Sequence, residues 1–101
     1  MAKKGYWIAH VSVDDPAAYE EYRKRNGAAF AKFGGRFLVR GGTHEVAEGA
    51  LRPRHVVIEF PSYEAALACY RSPEYQDASR YRAPVSSGDL VIIEGYDGPQ
   101  P

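Results

Sequence analysis

Residues 6–16, YWIAHVSVDDP, determine how the fold begins because they place a strand directly before a helix. The first eight of these residues are mainly aromatic and β-branched, which favours a strand. Asp15 as a cap and Pro16 at the first helical position then predict a helix start. Apolar side chains recur every three or four residues as far as Phe33. Gly34-Gly35 should close this helix, and Gly27 predicts a kink or short break within it.

A second strand–helix unit follows at residues 55–70, with Ser62 as the helix cap. Between the two units, residues 36–40 are a predicted strand, and Gly41-Gly42 predict a bulge or bend before residues 43–48 continue it. After the second unit, Ser72-Pro73-Glu74 predicts a short helix to about residue 80. Residues 89–94 are the last predicted strand, and residues 86–88 are the loop before it.

The order strand, helix, strand, strand, helix, strand is typical of a ferredoxin-like βαββαβ fold. The predicted class is therefore α+β, with an antiparallel sheet and the helices on one of its faces. Alternation along the strands divides their side chains between the two faces. The face predicted to meet the helices is wholly apolar: Trp7, Ala9, Val11, Val13, Phe37, Val39, Val56, Ile58 and Phe60. The opposite face is mixed: Tyr6, Ile8, His10, Ser12, Arg36, Leu38, Arg40, His55, Val57 and Glu59.

One layer of helices cannot cover both faces of this sheet. The mixed face would leave a contiguous apolar patch in water, which monomers rarely do. We therefore expect a homodimer in which two sheets pack face to face.

The composition indicates one globular domain over residues 1–101, with a core at about 5–95 and a loose C-terminal tail. Thirteen basic residues balance 13 acidic ones, which argues against a general nucleic-acid binder. No apolar run reaches the ~20 residues of a membrane helix. Residues 1–5 carry two lysines but no apolar stretch follows, so we expect no signal peptide and a cytoplasmic location.

Four stretches of this sequence resemble one bacterial family. They are GYWIA at 5–9, GGRFLVRGG at 34–42, VIEFPS at 57–62 and SPEY at 72–75. The family is called "domain of unknown function 1330", and the resemblance covers roughly residues 5–95. It implies a dimeric α+β barrel, in a superfamily that includes cofactor-free monooxygenases, lactone isomerases and haem-binding relatives. The family itself has no established activity, and Asn26-Gly27 departs from the proline-containing helix of many relatives.

The polar residues of the mixed face are the candidate catalytic group: His10, Arg40 and Glu59. A turn at Gly49-Ala50 would pair Arg40 with Glu59 across the hairpin, and Glu45 with Arg54. Tyr70 and Tyr75 are candidate ligand-binding residues if they overhang the same cleft. Such a set suits a small anionic or enol-forming ligand, because arginine can hold an oxygen while histidine or glutamate moves a proton.

The same residues also have a structural interpretation, as a polar network within a dimer interface. The sequence thus leaves two functions open. One is a small-molecule enzyme of the cofactor-independent isomerase or monooxygenase type, by analogy with the superfamily. The alternative is a non-catalytic dimeric ligand-binding or regulatory module.

The remaining motifs predict structural roles. Cys69 stands alone in a helical pattern and is expected to be a small buried residue. The tyrosines at helical spacing (Tyr19, Tyr22, Tyr63 and Tyr70) are expected to belong to the core. The paired glycines lack the spacing and lysine of a phosphate loop, and the histidines lack a zinc signature. We therefore expect neither a cofactor nor a metal ion.

Overall fold

A computed structural model describes residues 3–101, so the first two residues of the predicted domain lie outside the described residues. The described residues contain four strands and three helices in this order: β1 (Gly5–Val13), α1 (Pro16–Lys32), β2 (Arg36–Arg40), β3 (Arg54–Phe60), α2 (Tyr63–Arg71), α3 (Pro73–Arg82) and β4 (Ser86–Glu94). The strands form one sheet in the order β2-β3-β1-β4, and all neighbours are antiparallel. This arrangement confirms the predicted ferredoxin-like α+β fold.

Each helix begins where the sequence supplies a short polar cap. The Asp15 carboxylate accepts a hydrogen bond from the Ala18 amide at 3.1 Å. Ser62 and Ser72 cap α2 and α3 in the same way. Because these contacts are local, the helix starts could be predicted from the sequence. Of the three helices in residues 3–101, none is long and apolar enough to cross a membrane.

Of the kink or short break predicted at Gly27, the break is wrong, because α1 continues from Pro16 to Lys32. Gly27 is exposed, and a Cβ built on it would meet nothing within 4 Å. Its flexibility therefore weakens the helix without interrupting it. The predicted cap at Gly34 is confirmed by its φ of 76° and by the Gly35 amide, which donates to the Phe30 carbonyl.

The last strand begins earlier than predicted, so the loop assigned to residues 86–88 is wrong. Ser86, Ser87 and Gly88 pair with the end of β1. Gly88 suits this close pairing, since a Cβ there would lie 2.9 Å from the His10 carbonyl oxygen. Pairing with β1 thus determines where β4 begins, and the local sequence of residues 86–88 does not indicate it.

A β-bulge in β2 reverses part of the predicted face assignment. Phe37 pairs with Ile58, but Val39 pairs with Val57, so Leu38 is the extra residue. A one-residue shift turns the following side chains to the other face. Arg40 consequently lies on the helix side, opposite Val56, whereas Val39 lies on the side away from the helices.

The second half of the predicted β2 is also wrong. The strand ends at Arg40, and residues 43–48 form no regular structure. Gly41 and Gly42 have φ angles of 71° and 108°, which turn the chain out of the sheet.

The core lies between the helices and the sheet, with Trp7 at its centre. The Trp7 ring contacts those of Phe30, Phe60, Tyr70 and Tyr75, and its indole nitrogen donates to the Ala66 carbonyl at 2.9 Å. Cys69 is fully buried, as predicted, and burial raises the pKa of its thiol to about 12. A thiol in this state is an inert core group.

Candidate functional site

A cleft of about 100 Å³ opens between the sheet and the helices α1 and α3. Aromatic rings from Trp7, Tyr22, Phe30, Phe37 and Tyr75 supply much of its wall. The polar side chains that line it include Tyr19, Arg23, Asn26, Arg40, Arg54 and Arg82. An apolar wall with a few polar groups is the usual composition of a small-molecule site.

A wider hollow of about 340 Å³ adjoins this cleft. Val11, Tyr19, Arg23 and Arg54 line both spaces, so the hollow and the cleft share part of their walls. An apolar cavity of about 150 Å³ accommodates benzene, so the two spaces together suit a molecule with one ring.

Two buried tyrosines and one arginine form a hydrogen-bonded chain in the cleft wall. The Tyr22 and Tyr75 hydroxyl oxygens are 2.9 Å apart, and Arg82 Nε donates to the Tyr75 oxygen at 3.2 Å. Burial, followed by the proximity of Tyr75, raises the pKa of Tyr22 well above its usual value. Tyr22 is therefore a protonated hydrogen-bond donor at neutral pH.

The charges that line the cleft are mostly positive. Arg40 lies over the Phe37 ring, with its guanidinium carbon 4.2 Å from the ring centroid. Arg23 contacts Glu20 at the outside, with Nη1 and Oε2 3.3 Å apart. Arg54 has no ion pair among the described residues. Asp89 also borders the cleft, but its pairing with His10 places its carboxylate on the other face of the sheet, where Arg52 binds it. The arginines of the cleft therefore favour an anionic ligand.

The structure brings only two of the five predicted site residues to this cleft. Arg40 and Tyr75 line it, and Tyr70 packs beside it against the rings of Trp7 and Tyr75. His10 and Glu59 lie on the opposite face of the sheet, because strand alternation sets them out of phase with Trp7 and Ile58. The bulge in β2 is what separates Arg40 from them.

The predicted hairpin pairs are also wrong, because β2 ends at Arg40 and pairs with β3 in a register different from the one that a turn at Gly49-Ala50 would give. Glu59 pairs with Arg36, whose Nε donates to the carboxylate at 3.0 Å, and not with Arg40. Glu45 lies in the irregular connection, whereas Arg54 lines the cleft. No ion pair joins Glu45 to Arg54 among the described residues.

We call the sheet surface away from the helices the open face. Near one end, Glu59 accepts hydrogen bonds from Tyr6 and Arg36. At the other end, Arg52 donates to Asp89, Ser12 and Ser87. The strand register and bulge place these side chains on the open face: Tyr6, Ile8, His10, Ser12, Arg36, Val39, His55, Val57, Glu59, Ser87, Asp89, Val91 and Ile93.

A cluster of three histidines also lies at the open face. The Nδ1 atoms of His10 and His55 are 2.8 Å apart, so one ring donates a hydrogen bond to the other. The His44 ring packs edge-on against His55 at 4.5 Å between centroids. Within residues 3–101, no group of three or more His, Cys, Asp or Glu side chains is arranged to hold a metal ion.

Sequence reasoning missed Arg54, Asn26 and Tyr22 as site residues, although signals for them were present. Arg54 continues the alternation of Val56 and Ile58 by one step, which places it on the helix side. Asn26 is a polar residue within the buried stripe of α1, where it is only 5% exposed. A polar side chain in a buried stripe needs partners, and that requirement points to a site.

The sequence profile of the family described as "Domain of unknown function (DUF1330)" matches residues 4–96. The chain belongs to this family. No curated protein matches the sequence of this DUF1330 member at a significant level.

Solved structures resemble this DUF1330 chain in fold. A protein of unknown function from Rhodopseudomonas palustris is 18% identical, with 97% of this chain and 86% of that chain covered and a TM-score of 0.73. SnoaB, a cofactor-independent oxygenase from Streptomyces nogalater, is 17% identical, with 96% and 97% covered and a TM-score of 0.65. A dimeric protein of unknown function with a ferredoxin-like fold, from Bacteroides fragilis, is 15% identical, with 91% and 96% covered and a TM-score of 0.59.

Proposed function

We propose that this protein is a homodimeric small-molecule enzyme that needs no cofactor and acts on an anionic or enol-forming compound in the helix–sheet cleft. The observation that carries the proposal is the combination of aromatic walls with arginines that lack acidic partners inside the cleft. The activity named for SnoaB, on a similar fold, adds support by analogy.

Cofactor-independent chemistry starts from a substrate that can itself form an anion. Arg40 and Arg54 are the groups we assign to the negatively charged oxygens of the substrate, whether carboxylate, phenolate or enolate, because guanidinium donors stabilise such charge. The bound anion then has two outcomes. In an isomerisation, a proton returns to a different carbon. In an oxygenation, a CH₂ group and O₂ give a carbonyl group and one water molecule.

Tyr75 and Tyr22 supply the second part of the site. Because Arg82 donates to the Tyr75 oxygen, the Tyr75 hydroxyl hydrogen is free to point to Tyr22 or into the cleft. A hydrogen bond from this pair would stabilise an oxygen on which charge develops. Of the predicted catalytic residues, Arg40 thus stays in the proposed site, whereas His10 and Glu59 belong to the open face.

The open face is the surface that we assign to the partner copy. Val91 and Ile93 are 50% and 47% exposed in the protomer, and Ile8 and Val57 lie between them and β2. The charges on this face are paired within the protomer, as Arg36 with Glu59 and Arg52 with Asp89. An apolar patch with internally neutralised charges suits a second copy of itself. The dimeric Bacteroides fragilis protein supports dimerisation of a chain with this fold.

Turnover of enolisable and phenolic compounds tests the enzymatic proposal. We expect O₂ uptake or isomerised product with at least one such compound, and a fall of about 10²-fold or more in Arg54→Gln, the loss typical of one oxyanion donor. Arg80→Gln, an exposed arginine on α3, is the matched control. Saturable binding in the cleft without turnover across the set would overturn the enzymatic proposal and favour the ligand-binding or regulatory module.

Light scattering tests the homodimer. We expect a dimer at micromolar concentration, and a monomer for Val91→Glu, which places a charge in the apolar patch. Ala28→Glu, on the exposed side of α1, is the control that should stay dimeric. A wild-type monomer, or a dimeric Val91→Glu variant, would contradict the assignment of the open face.

A further inference from the structure

Four buried side-chain atoms in the described residues lack a hydrogen-bond partner, and three of them belong to residues that line the cleft. These three are Arg23 Nε, Arg54 Nε and Asn26 Oδ1. The fourth, Glu74 Oε2, lies outside the cleft. Buried polar atoms are nearly always satisfied, so we take these three orphaned atoms, in residues around one cleft, as the groups that a bound ligand would complete.

The three atoms differ in what they require. Arg23 Nε and Arg54 Nε are charged donors, which call for an anionic acceptor. Asn26 Oδ1 is an acceptor and calls for a donor, such as a hydroxyl group. A ligand that satisfies all three therefore carries both an anionic oxygen group and a hydroxyl hydrogen.

The surroundings favour a carboxylate over a neutral acceptor. The guanidinium groups of Arg23, Arg40, Arg54 and Arg82 line the cleft. The nearby carboxylates are already paired, since Arg52 holds Asp89 at 3.2 Å on the open face and Glu20 contacts Arg23 at the adjoining hollow. Arginine binds carboxylates through two parallel donors, which makes this pairing specific as well as strong.

The walls and the volume restrict the rest of the ligand. Phe30 and Tyr75 meet Trp7 edge-on, so a flat ring can continue this packing in the cleft. The cleft of about 100 Å³ and its adjoining hollow leave room for one ring and short substituents.

We infer that the cleft binds a single-ring hydroxy acid, whose carboxylate lies against Arg23 and Arg54 and whose phenolic or enolic hydroxyl donates to Asn26. This inference rests on the proposed function, since it names the class of compound that the same site takes. It places the protonated hydroxyl beside Asn26 on α1.

Calorimetric titration with matched one-ring probes tests the inference. The probes are the three isomeric hydroxybenzoates, benzoate, hydroxybenzamide and phenol. We expect at least one hydroxybenzoate to bind ten times more tightly than benzoate, which lacks the hydroxyl, and than hydroxybenzamide, which lacks the charge.

Two variants separate the two contacts. Arg54→Gln should weaken hydroxybenzoate binding at least tenfold and leave hydroxybenzamide binding unchanged. Asn26→Leu should remove the advantage of hydroxybenzoate over benzoate. Arg80→Gln is the control, and Arg23→Gln replaces Arg54→Gln if circular dichroism shows that the latter does not fold.

The outcomes distinguish this inference from the proposed function. If neutral and charged probes bind with equal affinity, and Arg54→Gln changes neither affinity, the hydroxy-acid class is wrong while the cleft remains a binding site. If no probe binds, the inference is overturned. Turnover of a different class of compound would then still support the proposed enzyme.

Discussion

The Tyr75 hydroxyl is the polar group on which the wall of the cleft depends. It is buried, it lies 2.9 Å from the Tyr22 oxygen, and it accepts a hydrogen bond from Arg82. Tyr75 comes from α3 and Tyr22 from α1, so this contact also joins the two helices. The sequence predicted Tyr75 as a site residue, but its partners could not be predicted, because residues 53 positions apart meet only through the fold.

Substitution of Tyr75 with phenylalanine should lower the free energy of unfolding by about 1–3 kcal/mol, since the Tyr22 hydroxyl and Arg82 Nε lose their partner. Urea denaturation measures the change. Tyr96→Phe, at a side chain that is 71% exposed, should stay within about 0.5 kcal/mol of wild type. Equal changes in the two variants would show that the hydrogen bonds of Tyr75 with Tyr22 and Arg82 do not contribute to the free energy of unfolding.

Two elements illustrate what the sequence could predict and what it could not. The start of α1 follows from Asp15 and Pro16, which act on their immediate neighbours. The bulge in β2 depends on how Phe37 and Val39 pair with β3, whose first residue is 14 positions after the last residue of β2. Strict alternation within β2 therefore predicted Arg40 on the same face of the sheet as Glu59. The bulge instead puts Arg40 on the face that lines the cleft.

Gly27 and Gly34 provide a matched test of the elements around α1. Gly27→Ala should stabilise the protein by about 0.5–1 kcal/mol, because Gly27 is helical and an added Cβ meets open space. Gly34→Ala should destabilise it, because the φ of 76° strains alanine and the Cβ would lie 2.9 Å from Pro61.

Thermal unfolding distinguishes the two glycines. For a domain of this size, the Gly27→Ala gain corresponds to a rise in Tm of about 2–8 °C. Gly34→Ala should lower Tm. A lower Tm for Gly27→Ala would mean that α1 is broken at this position, as the Asn26-Gly27 pair alone had suggested.

At the scale of the whole molecule, the sheet separates two polar groups with different roles. The cleft side carries arginines and tyrosines, whereas the open face carries the histidine cluster and the paired charges of Arg36, Glu59, Arg52 and Asp89. In our proposal, the two sequence-based interpretations, a ligand site and a polar network in a dimer interface, thus apply to opposite faces of the sheet. Arg40 and Tyr75 belong to the proposed site, and His10 and Glu59 to the proposed interface.

The open face should make stability depend on pH. Burial, followed by His44 and His10, lowers the pKa of His55, so folded His55 resists the protonation that occurs below about pH 6.5 in the unfolded chain. The stabilising contribution is present above that pH and is lost as the pH falls through the folded pKa. Protonation also leaves His55 Nδ1 unable to accept in its hydrogen bond with His10 Nδ1.

We therefore expect a lower Tm at pH 5 than at pH 7.5, with protein concentration held constant. His55→Gln should reduce this difference, because glutamine does not titrate. Asp89 and Arg52, which lie at the same end of the open face, are unchanged in this variant. A Tm difference that is as large in His55→Gln as in wild type would assign the pH dependence to other groups.

The central claim is that small molecules bind between the helices and the sheet, and nuclear magnetic resonance tests it most directly. Titration of ¹⁵N-labelled protein with a hydroxybenzoate should shift the Trp7 indole signal and the amide signals around Asn26 and Arg54, all of which line the cleft. Signals of His10, Val57 and Glu59 on the open face should move least. Shifts concentrated at His10 and Glu59, with the Trp7 indole unaffected, would contradict the account.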